Sequence, residues 1–299
     1  MEKLEIPIHL EIEVVRGCNA KCVMCALNYA EGKLLERGKM GEENFKKIIN
    51  KFLLYISKIQ FVSLIGIGEA LLDEGLFKKI KYLKKYGFKN VAIATNAALL
   101  DEKKQINLLE SGIDTVICSI DGIDKKTHES IRLNTNFDKV VKNVQSCIEK
   151  RNKGNYKTRF LIRMIRQKLN YQQWPEYVKY WERYINRKKG DDIIAFDVHN
   201  WGGTRVKETV DYAIPCPLML EKTFIAFNGD VYPCFSSGIL KEAKIGNALV
   251  EDPLAIYNSQ VLKHHRAMHR AGLRGYLYLC RGCNIPDQRM KRVLSTAYH

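Results

Sequence analysis

The run Arg16-Gly17-Cys18-Asn19-Ala20-Lys21-Cys22-Val23-Met24-Cys25 carries three cysteines, Cys18, Cys22 and Cys25, in the spacing C-x3-C-x2-C. Thiolate is a soft ligand suited to zinc, copper(I) and iron–sulfur clusters. Three close thiolates with no fourth Cys or His nearby fit a [4Fe–4S] cubane with one iron left open. Structural zinc wants a fourth ligand close by, and usually an even C-x2-C pair. An odd count with no signal peptide ahead of it makes a disulfide framework a poor reading.

Outward from this run, strand-like and helix-like stretches alternate. Residues 8–15 read as an apolar strand that ends at the cysteines. Residues 41–56 have helical periodicity through Phe45, Ile48, Ile49, Phe52 and Leu53. Strands are expected at 60–65, 90–95, 114–120, 158–165 and 193–199. Helices are expected at 74–86 (ended by Gly87), from a cap at Asp101 to Gly112, at 137–150 and at 171–184. Apolar strands joined by helices form a parallel sheet, and right-handed crossovers curl it. The α/β pattern therefore predicts a partial (β/α)6 TIM-like barrel over residues 1–203, with ligands at the C-terminal ends of its strands. The cysteine run follows the first of those ends. From residue 204 the pattern changes to a smaller module, 204–299. It has a β-hairpin (223–227, the turn Asn228-Gly229, then 231–233) and a helix around 253–268.

The totals narrow the function classes. The chain has 299 residues, 46% hydrophobic and 27% charged, and reads as globular. No apolar run reaches membrane-spanning length, so no membrane role is expected. The net charge of +16 comes from 49 Lys+Arg against 33 Asp+Glu. Its lysines are spread over helices, which favours a solvated face over a nucleic-acid surface and stays compatible with an anionic small substrate. Nine cysteines without a secretion signal point to a reducing, cytoplasmic setting and to metal. Seven of them fall in two groups, the opening three and Cys216, Cys234, Cys280 and Cys283.

Further motifs stand at the ends of the expected strands. The second ends in Gly66-Ile67-Gly68-Glu69-Ala70, the third in Ala94-Thr95-Asn96-Ala97, and the fourth in Ser119-Ile120-Asp121-Gly122, followed by Arg132. The late cysteines read Cys216-x12-Gly229-x4-Cys234 and Cys280-Arg281-Gly282-Cys283. In this order the motifs resemble those of radical S-adenosylmethionine (SAM) enzymes carrying a shortened, twitch-type SPASM module. In that family the open iron of a [4Fe–4S] cluster binds SAM, and an electron from the cluster cleaves SAM to a 5′-deoxyadenosyl radical. The resemblance implies SAM and two [4Fe–4S] clusters as cofactors. The first would sit on Cys18, Cys22 and Cys25, the auxiliary one on Cys216, Cys234, Cys280 and Cys283. A four-thiolate zinc site with the same late ligands is the alternative.

The same resemblance implies the SAM seat. Gly68 and Glu69 would meet the amino group, Met24 the adenine, Asn96, Ser119 and Asp121 the polar edge, and Arg163 (or Arg132) the carboxylate. An external one-electron donor such as flavodoxin or ferredoxin is implied. Cys118 and Cys147 read as core thiols, so no hydrogen-donating cysteine is evident. Net oxidation of a hydroxyl-bearing sugar or aminocyclitol, with the auxiliary cluster as electron acceptor, is therefore favoured over epimerisation or peptide modification. Glu13, Asp197 and His199 are the candidate catalytic groups for this small, anionic or glycosidic substrate.

Overall fold

A computed structural model describes residues 4–28, 35–202 and 210–287, so the expected junction at 203/204 lies outside the described residues. In chain order the strands are β1 (His9–Ile12), β2 (Val15–Arg16), β3 (Lys21–Cys22), β4 (Gly38–Lys39), β5 (Phe61–Ser63), β6 (Val91–Thr95), β7 (Thr115–Ser119), β8 (Arg132–Leu133), β9 (Arg159–Arg166), β10 (Asp192–Asp197), β11 (Lys222–Ile225), β12 (Asp230–Tyr232) and β13 (Gly246–Asn247). The α-helices are α1 (Glu42–Asn50), α2 (Leu76–Lys85), α3 (Glu102–Glu110), α4 (Lys125–Ile131), α5 (Phe137–Lys153), α6 (Trp174–Trp181), α7 (Pro217–Glu221), α8 (Pro253–Tyr257) and α9 (Gln260–Arg270).

The six strands β1, β5, β6, β7, β9 and β10 pair in parallel in sequence order, as expected of a partial barrel built from βα repeats. Phe45, Ile48 and Ile49 of α1, Ile80 and Leu83 of α2, and Val140, Val144 and Cys147 of α5 share one core with Leu10, Ile12, Val62, Ile93 and Cys118 of the strands. Helix periodicity and strand alternation aim these apolar sets at each other.

The sheet does not stop at the barrel. β11 pairs in parallel with β1, His9 opposite Lys222 through to Ile12 opposite Ile225, and β12 and β13 follow antiparallel. The hairpin of the second module thus extends the barrel sheet past its first strand.

Several expected bounds shorten. The first strand stops at Ile12; Val15–Arg16 leaves the sheet to pair with Gly38–Lys39. The expected helix 41–56 ends at Asn50, where Lys51 and Phe52 bond three residues back to Ile48 and Ile49 instead of four. Pro175, which has no N–H, stands in the first turn of α6, so the stretch 171–173 forms a separate 3-10 turn. The helix at 253–268 is two, because Ser259 caps the second by accepting from the Leu262 N–H at 3.4 Å. Helix α4, which the periodicity did not suggest, is capped by Asp124 accepting from the Thr127 N–H at 2.8 Å.

Candidate active site

The cysteine run leaves the end of β1 and is held from two sides. β3 pairs antiparallel with β8, Cys22 opposite Arg132, which ties the middle cysteine to the segment after α4. The Trp201 indole Nε1 donates to the Met24 carbonyl at 3.0 Å, which ties the end of the run to the chain beyond β10. Cys18, Cys22, Met24 and Cys25 line one end of a cavity of about 700 Å3 that runs through the barrel. Gly68, Glu69, Asn96, Ser119, Arg132, Arg163, Asp197 and His199 line it too.

Burial pushes the Cys18 thiol up to about 12 and the Cys25 thiol up to about 11. It raises Cys22 as well, against the opposing pull of Arg132. Such thiols stay protonated until a metal displaces the proton. The donors around them already suit bound thiolate: Asn96 Nδ2 stands 3.7 Å and the Ala20 N–H 3.4 Å from the Cys18 sulfur, and Arg132 Nη1 donates to Cys22 at 3.6 Å.

The strand-end turn Gly66-Ile67-Gly68 has another use besides approach to a ligand. A Cβ on Gly68 would overlap the Val15 carbonyl and lie 2.7 Å from the Gly17 carbonyl, so its bare backbone is needed to pack on the cysteine run. Glu69 is buried and accepts from Thr95 Oγ1 (2.7 Å), the Asn96 N–H (2.7 Å) and the Leu71 N–H (3.1 Å). An ionised carboxylate has about four acceptor positions, so one stays available to a ligand ammonium. Burial raises the Glu69 carboxyl, against these bonds. Asn96 also donates to Asn19 Oδ1 at 2.9 Å, and so braces the cysteine run as well as lining the cavity.

Arg132 and Arg163 differ. Arg132 is paired with Asp121 at 2.8 Å. Arg163 donates from Nη2 to Ser119 Oγ at 2.7 Å, and its buried Nε has no hydrogen-bond partner among the described residues. Burial, then the Arg132 charge, lowers Arg163 to about 10, the signature of a cation short of an anion.

Two expected site residues point elsewhere. Glu13 is fully buried, and its carboxylate accepts from Arg16 Nε at 2.8 Å and the Ile67 N–H at 2.9 Å. It braces the turn against β1 and does not line the cavity. Asp121, expected with Ser119 at the SAM edge, does not line the cavity as Ser119 does. β7 ends at Ser119, and the Asp121 carboxylate accepts from the Ile165 N–H at 2.7 Å besides pairing with Arg132.

Of the remaining catalytic candidates, Asp197 lines the cavity and pairs with Arg166 Nε at 3.0 Å. The His199 ring packs on Trp201, centroids 4.2 Å apart, and its Nδ1 accepts from the Trp201 N–H at 3.3 Å. Sequence reasoning missed the cavity's lower wall. There Glu11 pairs with Lys222 of β11 at 2.7 Å, and His9 Nε2 lies 2.6 Å from Ser63 Oγ. Nothing local marks Lys222; register alone brings it there.

The late cysteines also converge. Cys216 and Cys283 lie in a small apolar cluster with Cys234 and Cys280 packed against it. Burial pushes Cys234 up to about 11 and Cys283 up to about 12, and raises Cys280 further. Buried Arg274 ties the segments together, donating to the carbonyls of Asp211 (2.8 Å), Ile214 (3.0 Å) and Cys283 (3.0 Å). Among the described residues no three Cys, His, Asp or Glu side chains converge around a single ion. A cubane places each thiolate on a different iron, and so accepts ligands standing farther apart. Both sets of buried and half-buried thiols fit such a group. Phe235, beside Cys234, packs against this apolar cluster and against the one that covers Cys18 and Cys25.

Comparison with known proteins gives two matches to family models. That of the radical SAM superfamily matches residues 12–191, and that of an iron–sulfur cluster-binding domain, SPASM, matches residues 216–284. A probable GTP 3′,8-cyclase of Methanococcus maripaludis is 32% identical over 140 residues, 46% of this chain and 44% of that protein. The chain thus spans under half the length of that curated relative. BtrN, solved with AdoMet and 2-DOIA, superposes with TM-score 0.63 at 18% identity over 94% of both chains. Streptococcus suis SuiB, solved with the precursor peptide SuiA, superposes with TM-score 0.67 at 18% identity over 94% of this chain and 70% of that one. Among the described residues no helix is long and apolar enough to cross a membrane.

Proposed function

The chain belongs to the radical SAM superfamily, and on that premise we propose that it oxidises a small hydroxyl-bearing substrate, a sugar or an aminocyclitol, to the carbonyl. The groups it would hold supply the redox chemistry: a [4Fe–4S] cluster on Cys18, Cys22 and Cys25 gives the electron that splits SAM to a hydrogen-abstracting radical, and one on Cys216, Cys234, Cys280 and Cys283 takes the electron left on substrate. Residues 1–203 carry the first task and 204–299 the second. An external one-electron donor such as flavodoxin or ferredoxin is the expected reductant.

The chain's own residues divide the binding. Arg163, whose buried Nε has no partner among the described residues, receives the SAM carboxylate, and Ser119 holds its guanidinium in place. Glu69 and the backbone at Gly68 receive the ammonium, and Met24 lies against the adenine. Asp197, positioned by Arg166 at the cavity wall, takes the substrate proton. His199, which lines the cavity beside Asp197, contributes to the substrate end of the site.

The observation that carries this reading is the make-up of the barrel cavity. About 700 Å3 must seat both SAM and substrate, within the ~300–1,000 Å3 usual for small-molecule sites, so the substrate is small. No spare thiol reaches it: Cys118 and Cys147, the two cysteines outside the groups, are fully buried in the core. A substrate radical with no hydrogen donor loses a proton and an electron instead, which is oxidation.

The test is anaerobic reconstitution, reduction with dithionite, and incubation with SAM and a panel of aminocyclitols and sugars. Release of 5′-deoxyadenosine and methionine, lost in Cys18→Ala, Cys22→Ala and Cys25→Ala, is expected together with a carbonyl product. Solvent deuterium retained at carbon in an epimerised product, or turnover of peptides alone, would reject oxidation of a small alcohol.

A further inference from the structure

The geometry points to His269 as the residue that sets the electron affinity of the auxiliary site, by donating a hydrogen bond from Nε2 to the Cys280 sulfur. This rests on the reading above that the four late cysteines hold a cluster. His269 stands at the end of α9 and is 1% exposed. Its ring lies between two of those cysteines. The Cys216 N–H donates to Nδ1 at 3.1 Å, and Nε2 stands 3.2 Å from the Cys280 sulfur.

The chain itself fixes which nitrogen carries the proton. A backbone amide can only donate, so Nδ1 must accept, and a neutral imidazole that accepts at Nδ1 bears its hydrogen at Nε2. That hydrogen points at Cys280. A donor on a thiolate sulfur draws electron density from the cluster and raises its reduction potential. A neutral imidazole does so with a dipole and adds no buried charge.

Backbone N–H groups of Ser236, Ser237 and Ile285 reach the Cys234 and Cys283 sulfurs, but the neighbouring polar side chains are otherwise engaged. Ser237 Oγ lies 3.7 Å from the Cys234 sulfur, but its single proton goes to the Cys234 carbonyl at 2.8 Å. Arg274 directs Nη1 at the carbonyls of Cys280 (3.3 Å) and Cys283 (3.0 Å), not at sulfur. His269 is thus a positioning residue with two effects. It fixes Cys216 relative to Cys280 across the cluster, and it biases the site toward accepting an electron. That bias is what an acceptor for substrate oxidation requires.

The experiment uses the full chain with Cys18→Ala, Cys22→Ala and Cys25→Ala together, so that only the auxiliary cluster remains, and follows its reduction by EPR-monitored redox titration. His269→Phe is expected to keep about four irons per chain. Its oxidised-to-reduced ratio at fixed ambient potential should rise about tenfold, a shift of about 59 mV to more negative values for one electron. His269→Gln should retain most of the parent potential, since a carboxamide can accept from Cys216 and donate to sulfur. The Fe–S stretching bands should also shift more in D2O in the parent than in His269→Phe, the remainder coming from the backbone N–H groups of Ser236, Ser237 and Ile285 at Cys234 and Cys283. An unmoved potential in an iron-replete His269→Phe protein, or an equal D2O shift in the two proteins, overturns the role of His269. Absence of iron from the triple variant, or zinc in its place, instead overturns the assignment of the four cysteines to a cluster, and the inference with it.

Discussion

Arg132 and Arg163 lie within one cavity wall and carry the same charge, yet their neighbours give them different work. Arg132 is neutralised by Asp121 and donates to Cys22, so it belongs to the scaffold of the cysteine run. Arg163 has Ser119 and, among the described residues, no carboxylate partner, and burial lowers its pKa. A charge-assisted hydrogen bond contributes about 1.5–3 kcal/mol. Arg163→Met should therefore weaken SAM binding to reconstituted protein by roughly ten- to a hundredfold while leaving iron content unchanged. Equilibrium binding of SAM, with iron assayed in parallel, checks it; unaltered SAM affinity would transfer the carboxylate to another group. At this scale the two cysteine groups and the place of Arg163 in the cavity wall were legible, because residue type, spacing and strand position are local. The carboxylates of Glu13 and Asp121 were not. Alternation says which face a residue occupies, but each of these two stands just past the end of its strand, where the chain turns and the rule lapses.

Among the elements, the turn after β5 shows how a glycine motif can serve packing. Gly66 makes room for the Glu13 side chain, and Gly68 lets the turn close on Val15 and Gly17, with the Glu69 N–H donating to the Gly17 carbonyl at 2.8 Å. Both contacts at Gly68 are to backbone, which cannot swing aside as a side chain could. Gly68→Ala should cost about 1–3 kcal/mol and push the cysteine run away from the turn. The expected result is loss of roughly half the bound iron, from the first site, with the auxiliary cluster's spectrum retained. Iron assay with EPR checks this, and full occupancy of both sites in the variant would mean that the turn yields more easily than its backbone contacts imply. The existence of this element was legible from its glycines; its packing partner was not, because Gly17 and Gly68 meet only once β1 and β5 are paired.

Across the whole molecule, the barrel and the later module share one sheet. β11 covers the edge of β1 along its full length, and Lys222 closes onto Glu11 in the cavity wall. Removing residues 204–299 should therefore leave an unpaired apolar edge strand, which is prone to association, and a buried Glu11 without its cation. Size-exclusion chromatography and thermal melting of a 1–203 fragment should show aggregation and no cooperative transition; a monomeric, cooperatively melting fragment would make the barrel independent of β11. The order of βα repeats, the two cysteine groups and the change of pattern after the barrel follow from the sequence by itself, since periodicity and spacing are local properties of a chain. Tertiary structure alone decided the rest. It brought Lys222 opposite His9, set His269 between Cys216 and Cys280, and turned Glu13 and Asp121 away from the cavity. Each of these depends on register between segments distant in the chain, and register is set by closing the sheet and burying its apolar faces together, which no local pattern records.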